Sequence, residues 1–150
     1  MKTKTQLLKE LESFITFAES LLDFSEDFLA TPICEELSIK AILSNICVQD
    51  KMYTDYYFPR FEKHANIDEY PKQTLIKEAE HMVDTLDTKE IIKLFAKTRD
   101  KLIDECFKLP QELLHAFFTI DNVQFTLYDH IEHIIWNDFI WKEEILKATI

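Results

Sequence analysis

The chain contains no glycine in 150 residues, where an average chain of that length carries about ten. Glycine supplies positive φ in tight turns and lets a backbone approach a phosphate closely. Its absence excludes the P-loop, the dinucleotide-binding glycine fingerprint and the glycine-flanked serine elbow together. It also argues against a hairpin-rich β fold, whose two-residue turns favour glycine. Cysteine is sparse: Cys34, Cys47 and Cys106 form no pair with zinc or redox spacing. They read as free thiols packed as small hydrophobes, which suits a reducing, cytoplasmic setting. Long apolar runs are missing too, so no segment reads as a membrane span. Glu10 and Glu12 interrupt the start before any such run, so it does not read as a signal peptide. Positive charge is in short supply, with 17 basic against 28 acidic residues and a net charge of −11. Lys89, Lys93, Lys97 and Lys101 are interleaved with acids, and no basic patch offers itself to a phosphate backbone, so no nucleic-acid partner is expected.

What remains is a chain that is 47% hydrophobic, and a chain this long buries roughly two thirds of its unfolded surface, enough for a core without staples. The pattern predicts an all-α fold: an antiparallel four-helix bundle with a short extra helix between the second and third helices, as a single domain over 1–150. The first helix is expected from Thr5 to Leu29, with a gap at Ser25 and a Thr3/Gln6 capping box at its start. The second runs from Ser38, a suitable N-cap, to Phe58. Its aromatic end, Tyr53 to Phe61, reads either as buried under a loop or as a partner surface. Lys72 to Asp84 is a shorter helix with Leu75, Ile76, Ala79, Met82 and Val83 inward. Asp87 and Glu90 open the third main helix, which stops before Pro110. Asn122 to Thr126 reads as a connection, and Leu127 to Lys147 as the last helix. Short connections make an up-down order the default.

On the last helix His130, His133, Asn137 and Trp141 fall along one line at the edge of the apolar face. Neighbours three and four apart on a helix can share one ion or one substrate, and imidazole suits zinc or nickel. On the second helix Asn45, Gln49, Met52 and Tyr56 form a comparable rim. If two such rims face each other they line one cleft, where bundle proteins build their sites. The alternative is that the histidines are boundary residues, Asn45 and Asn137 are helix-to-helix hydrogen-bonding groups, and Trp141 belongs to the core.

The run Ser38-Ile39-Lys40-Ala41-Ile42-Leu43-Ser44-Asn45 resembles the second-helix start of the DinB/YfiT-like superfamily of four-helix bundles. His133-Ile134-Ile135-Trp136-Asn137 sits where those proteins carry a His-x-x-x-His pair, and the tail around Trp141 resembles the DfsB/ClbS branch. The resemblance implies a metal site with one ligand at Asn45 and two at His133 and Asn137. Two of those three positions hold asparagine, a poor set for zinc or nickel, so the cofactor is either none or a divalent transition metal held with help from His130.

Three functions follow as expectations. The first is a small-molecule-modifying or detoxification protein, hydrolase- or transferase-like, with His133 as general base and Asn45, His130, Asn137 and Trp141 around the substrate. The second is a metal-binding bundle using His130 and His133 with an acid such as Asp50 or Asp138. The third is a non-catalytic helical protein that acts through homodimerisation or partner binding.

Overall fold

The computed structural model describes residues 1–150. The first expected helix divides into α1 (Lys4–Ser20), a 3-10 turn at Leu21–Asp23 and α2 (Glu26–Leu29). Thr3 and Gln6 form the reciprocal capping box, at 3.2 and 2.8 Å. The division falls at Ser25, because its hydroxyl accepts from the Phe28 amide at 3.2 Å and so starts a new helix in place of extending the old one.

Strands β1 (Pro32–Cys34) and β2 (Leu37–Ser38) lead into α3 (Ile39–Met52), capped by Ser38 at 3.0 Å from the Ala41 amide. The helix widens into one π turn at Tyr53–Tyr57, tightens at Phe58–Arg60 and ends at Phe61. Strand β3 (Asn66–Ile67) and α4 (Lys72–Thr85) follow, then α5 (Thr88–Lys108), capped by Asp87. Strands β4 (Phe117–Ile120) and β5 (Val123–Thr126) precede α6 (Leu127–Thr149). The segment expected as a plain connection is therefore a hairpin strand. Its two-residue turn places Asp121 at φ 51° and Asn122 at φ 67°, the left-handed region that these two side chains tolerate without glycine. The β1–β2 turn does the same with Glu35 and Glu36, at φ 46° and 67°.

The four long helices α1, α3, α5 and α6 make the expected bundle, but not in plain up-down order. At one end Lys4 reaches the carbonyls of Phe107 and Leu109, so α1 and α5 are antiparallel. The starts of α3 and α5 meet at Glu26, which pairs with Lys40 at 3.4 Å and accepts from the Thr88 amide at 2.9 Å. Farther along, Asp55 meets Lys101 at 3.3 Å, so α3 and α5 run in the same sense. Likewise the Lys2 amide donates to Tyr128 at the starts of α1 and α6, and Lys142 lies over the Phe17 ring 5.5 Å from its centroid toward their ends. Two parallel neighbours need a return segment, and α4 is that segment: it carries the chain back along the outside of α3. With one principal helix neighbour α4 buries only Ala79 of its five expected inward residues, and Ile76 stays 47% exposed.

The core has two parts. One is mainly aliphatic with Phe14, Phe17 and Phe95, around the end where α3 and α5 begin. The other holds Tyr53, Tyr57, Phe58, Phe61 and Phe118 under the β4–β5 hairpin. The aromatic end of the second expected helix is thus interior, not a partner surface. No helix is long and apolar enough to cross a membrane.

Candidate functional site between α3 and α6

Three core positions on three helices carry charge. Arg99 of α5 is fully buried, Asp50 of α3 is 2% exposed and Asp138 of α6 is 6% exposed. The Arg99 guanidinium donates to Asp50 at 2.6 and 3.3 Å and to Asp138 at 2.7 and 3.1 Å. A further bond reaches the Leu11 carbonyl of α1 at 3.1 Å, so one side chain ties all four long helices. The Phe95 and Phe14 rings lie 5.1 and 5.8 Å from the guanidinium carbon. Burial pushes both carboxyls up and the guanidinium pulls them down. One cation cannot neutralise two anions in a dry site, and Asp138 is left at about 6.

Above this triad lies a cleft of about 230 Å³ between α3 and α6. Gln49 and Tyr53 line it from α3, Asn137 and Trp141 from α6, and the Asp50–Arg99–Asp138 cluster forms its floor. The rotation of α6 that produces this is set at its first turn. Thr126 and Asp129 form a capping box there, at 3.1 and 3.2 Å, and Ile131, Ile134 and Ile145 then face inward.

Each residue expected to form the site has a definite place. Asn137 and Trp141 line the cleft. His133 is exposed beside it, with its Nε2 3.4 Å from the Asn137 side-chain nitrogen. Asn45 is elsewhere: it lines a separate hollow between α3 and α4 with Ala41, Ile76 and Ala79. His130 sits in an aromatic cage, 4.8 Å from Phe125 and 5.6 Å from Phe118 and Tyr53 between ring centroids. Neither of its ring nitrogens has a hydrogen-bond partner, and burial pushes its pKa down to about 4. It is therefore neutral over most of the pH range. The structure brings Gln49, Asn137, Trp141 and, at the rim, His133 to one place, and leaves Asn45 and His130 out of it. Asp50 and Asp138, considered above as metal-supporting acids, are engaged by Arg99.

Arg99 and its two carboxylates were not expected from the pattern. A signal was nevertheless present: Arg99 falls four residues after Phe95 and three before Leu102, on the apolar line of its helix. Asp50 occupies the same kind of position after Ile46, and Asp138 after Ile134. One cation and two anions at core positions of three helices can be buried only together.

The helix senses, the α4 crossover and the hairpin ahead of α6 define a four-helix bundle whose order departs from plain up-down. Among solved structures, YfiT from Bacillus subtilis aligns with 97% of this chain and 85% of its own, at a TM-score of 0.78 and 12% sequence identity. It is described as a probable metal-dependent hydrolase with an unusual four-helix bundle topology. No protein-family model matches the chain, and no curated protein matches it.

A metal of that kind does not fit the residues present. No three His, Cys, Asp or Glu side chains converge as a metal-holding group. The side chains at the cleft mouth are one imidazole and two amides, His133, Asn137 and Gln49, which bring no negative charge. Both nearby carboxylates are committed to a guanidinium that would have to be displaced.

Proposed function

We propose that the chain is a small-molecule-modifying protein, hydrolase- or transferase-like, that works at the α3–α6 cleft without a bound metal. The observation that carries this reading is the meeting of Gln49 with Asn137 and Trp141 over a charged floor whose two carboxylates are both hydrogen-bonded to Arg99. Amides offer donors and acceptors to a neutral polar group, and Trp141 offers a flat apolar wall. The volume sits below the range usual for drug-sized ligands, so a small substrate or one reactive end of a larger molecule fits best. His133, at the rim and in contact with Asn137, is the proton acceptor in this reading. Assignment to the DfsB/ClbS branch rests on the kept Trp141, and the three free cysteines suit a cytoplasmic setting.

The test is turnover and binding with a panel of small electrophiles, with Trp141 fluorescence read in a Trp136→Phe background. His133→Ala should lower turnover of any active compound by about a hundredfold while leaving Trp141 quenching nearly unchanged. Equal turnover by wild type and His133→Ala would remove the histidine from the chemistry, and a panel that never quenches Trp141 would remove the cleft.

A second reading is favoured by the outer face of α6. Trp136 and Phe139 stack there with centroids 5.7 Å apart, and they are 58% and 53% exposed beside Ile140. A second copy of this chain covering that face would make a homodimer, in which the bundle acts without catalysis. Sedimentation should then report a dimer for wild type and a monomer for Trp136→Lys.

A further inference from the structure

A second hollow, more than three times the volume of the α3–α6 cleft, lies on the other side of α3 from it. At 100° per residue, Cys47, Val48 and Lys51 share a face of α3 roughly opposite Gln49, and Thr54 and Asp55 of the π turn that follows continue it. With α4 and α5 that face encloses a groove of about 740 Å³, the size of a drug-sized ligand site. Its apolar lining comes from buried Val48, half-buried Met82 and the more exposed Leu94. Its walls carry Lys51 from α3, Lys77 from α4, and Lys97 and Lys101 from α5.

The charge balance is the informative part. Over the whole chain acids outnumber bases, 28 to 17. In this groove four lysines face two carboxylates, Asp55 and Glu78, so the local sign is reversed. Asp55 is paired with Lys101 at 3.3 Å, and Glu78 accepts a hydrogen bond from the Tyr70 hydroxyl at 3.1 Å. Lys51, Lys77 and Lys97 take part in no ion pair. Three helices of an acidic protein thus each contribute an exposed, unpaired lysine to one partly apolar groove. Along the sequence the same lysines are scattered among acids, and only the packing of α4 on α3 beside α5 assembles them.

We infer that this groove binds a free amphiphilic anion, a carboxylate, sulfonate or sulfate on an aliphatic or aromatic body. The lysines would hold the head and Val48, Met82 and Leu94 would cover the body. Three points exclude weaker readings of the same features. A bare inorganic anion would leave the apolar lining wet. A cationic amphiphile would meet three unneutralised ammonium groups. A bilayer cannot enter a concave groove, so the ligand is a dissolved molecule. The inference does not depend on the reading of the α3–α6 cleft, because the two sites lie on different faces of α3 and share none of the residues that line them.

The experiment is a titration of the full chain with dodecanoate and with anilinonaphthalene sulfonate, followed by amide chemical shifts and by calorimetry. Matched arms use dodecyltrimethylammonium, inorganic phosphate and phosphatidylglycerol vesicles. Saturable binding of the two amphiphilic anions is expected, with shifts confined to the facing parts of α3, α4 and α5. The other three arms should show no such shifts. Lys77→Glu with Lys97→Glu should weaken dodecanoate about tenfold or more and leave the melting temperature nearly unchanged. His133→Ala should leave this binding intact. Equal binding of the cationic amphiphile, preference for vesicles, or an affinity indifferent to the lysine reversals would overturn the inference.

Discussion

The two faces of α3 treat charge in opposite ways. Toward α6, Asp50 is buried and its guanidinium partner has no exposed surface at all. Toward α4 and α5, Lys51, Lys77 and Lys97 stand in solvent with no ionic partner. Buried charge has to be satisfied internally, so it fixes the relative positions of the helices and is not free to meet a ligand. Exposed charge without a partner contributes almost nothing to the fold, and that leaves it available. The α3–α6 cleft therefore presents amides and an indole ring over a floor of hydrogen-bonded charges, and the groove presents ammonium groups. One helix carries both because the two faces lie roughly 150° apart around its axis.

The largest effect expected from breaking this contrast is at Arg99. Arg99→Met leaves two carboxylates in the core with no cation, and should cost about 3–5 kcal/mol in chemical denaturation, close to the whole stability of a domain. Adding Asp50→Leu and Asp138→Leu removes the stranded charges and should restore most of the loss. If the single variant were as stable as wild type, the floor of the cleft would not be the tie between helices described above.

Next in size is His130, a half-buried ring whose two nitrogens are shielded from solvent without a hydrogen-bond partner. Its pKa is about 4 in the folded chain against 6.5 for an ordinary histidine. The unfolded chain therefore takes up this proton first, and stability from this residue falls as pH drops from about 6.5 toward 4, by roughly 3 kcal/mol in all. Asp138 acts in the opposite direction. Its folded pKa of about 6 lies above its ordinary 3.8, so the folded chain binds the proton more tightly and stability rises as pH drops through the same window. His130→Phe should be more stable than wild type at pH 5 by about 2 kcal/mol or more, with a smaller difference at pH 7. Asp138→Asn should show the reverse trend with pH. A denaturation series from pH 4 to 7 on both variants separates the two contributions.

Smaller still is a change remote from both faces. Glu36 holds a left-handed conformation at φ 67° that its side chain does not favour. Glu36→Gly should stabilise the chain by about 1 kcal/mol, which calibrates the other measurements against a pure backbone effect. Smallest of all, Lys51→Glu or Lys97→Glu should change stability by no more than about 0.5 kcal/mol. A large loss there would mean that the groove lysines are structural and would erase the contrast between the two faces.

Much of this architecture can be read from the sequence, for specific reasons. Thr3, Ser38 and Asp87 announce their helices because a cap is a local device that needs only a few residues. The β4–β5 hairpin is not legible, because Asp121 and Asn122 do the work that glycine usually signals. The sense of the helices is not legible either, since periodicity reports which face is buried and not which way the neighbour runs. The candidate site divides in the same way. Asn137 and Trp141 can be placed from the pattern of α6 alone. Asn45 and Gln49 belong to one rim stripe, but a step of four residues turns about 40° past a full turn, and that small rotation puts Asn45 against α4 and Gln49 against α6. His130 shares the line of Trp141 around α6 but sits lower on the helix, where the hairpin aromatics enclose it.

The division of labour between the two faces of α3 is tested most directly by following both at once. Side-chain signals of Gln49, Asn137 and the Trp141 indole would report the cleft, and backbone amides of Lys51 and Lys97 the groove, during titration with neutral polar fragments and then with dodecanoate. The account predicts that fragments move the first set alone and dodecanoate the second set alone. Movement of both sets by the same compounds, or a first set that no compound moves, would contradict it.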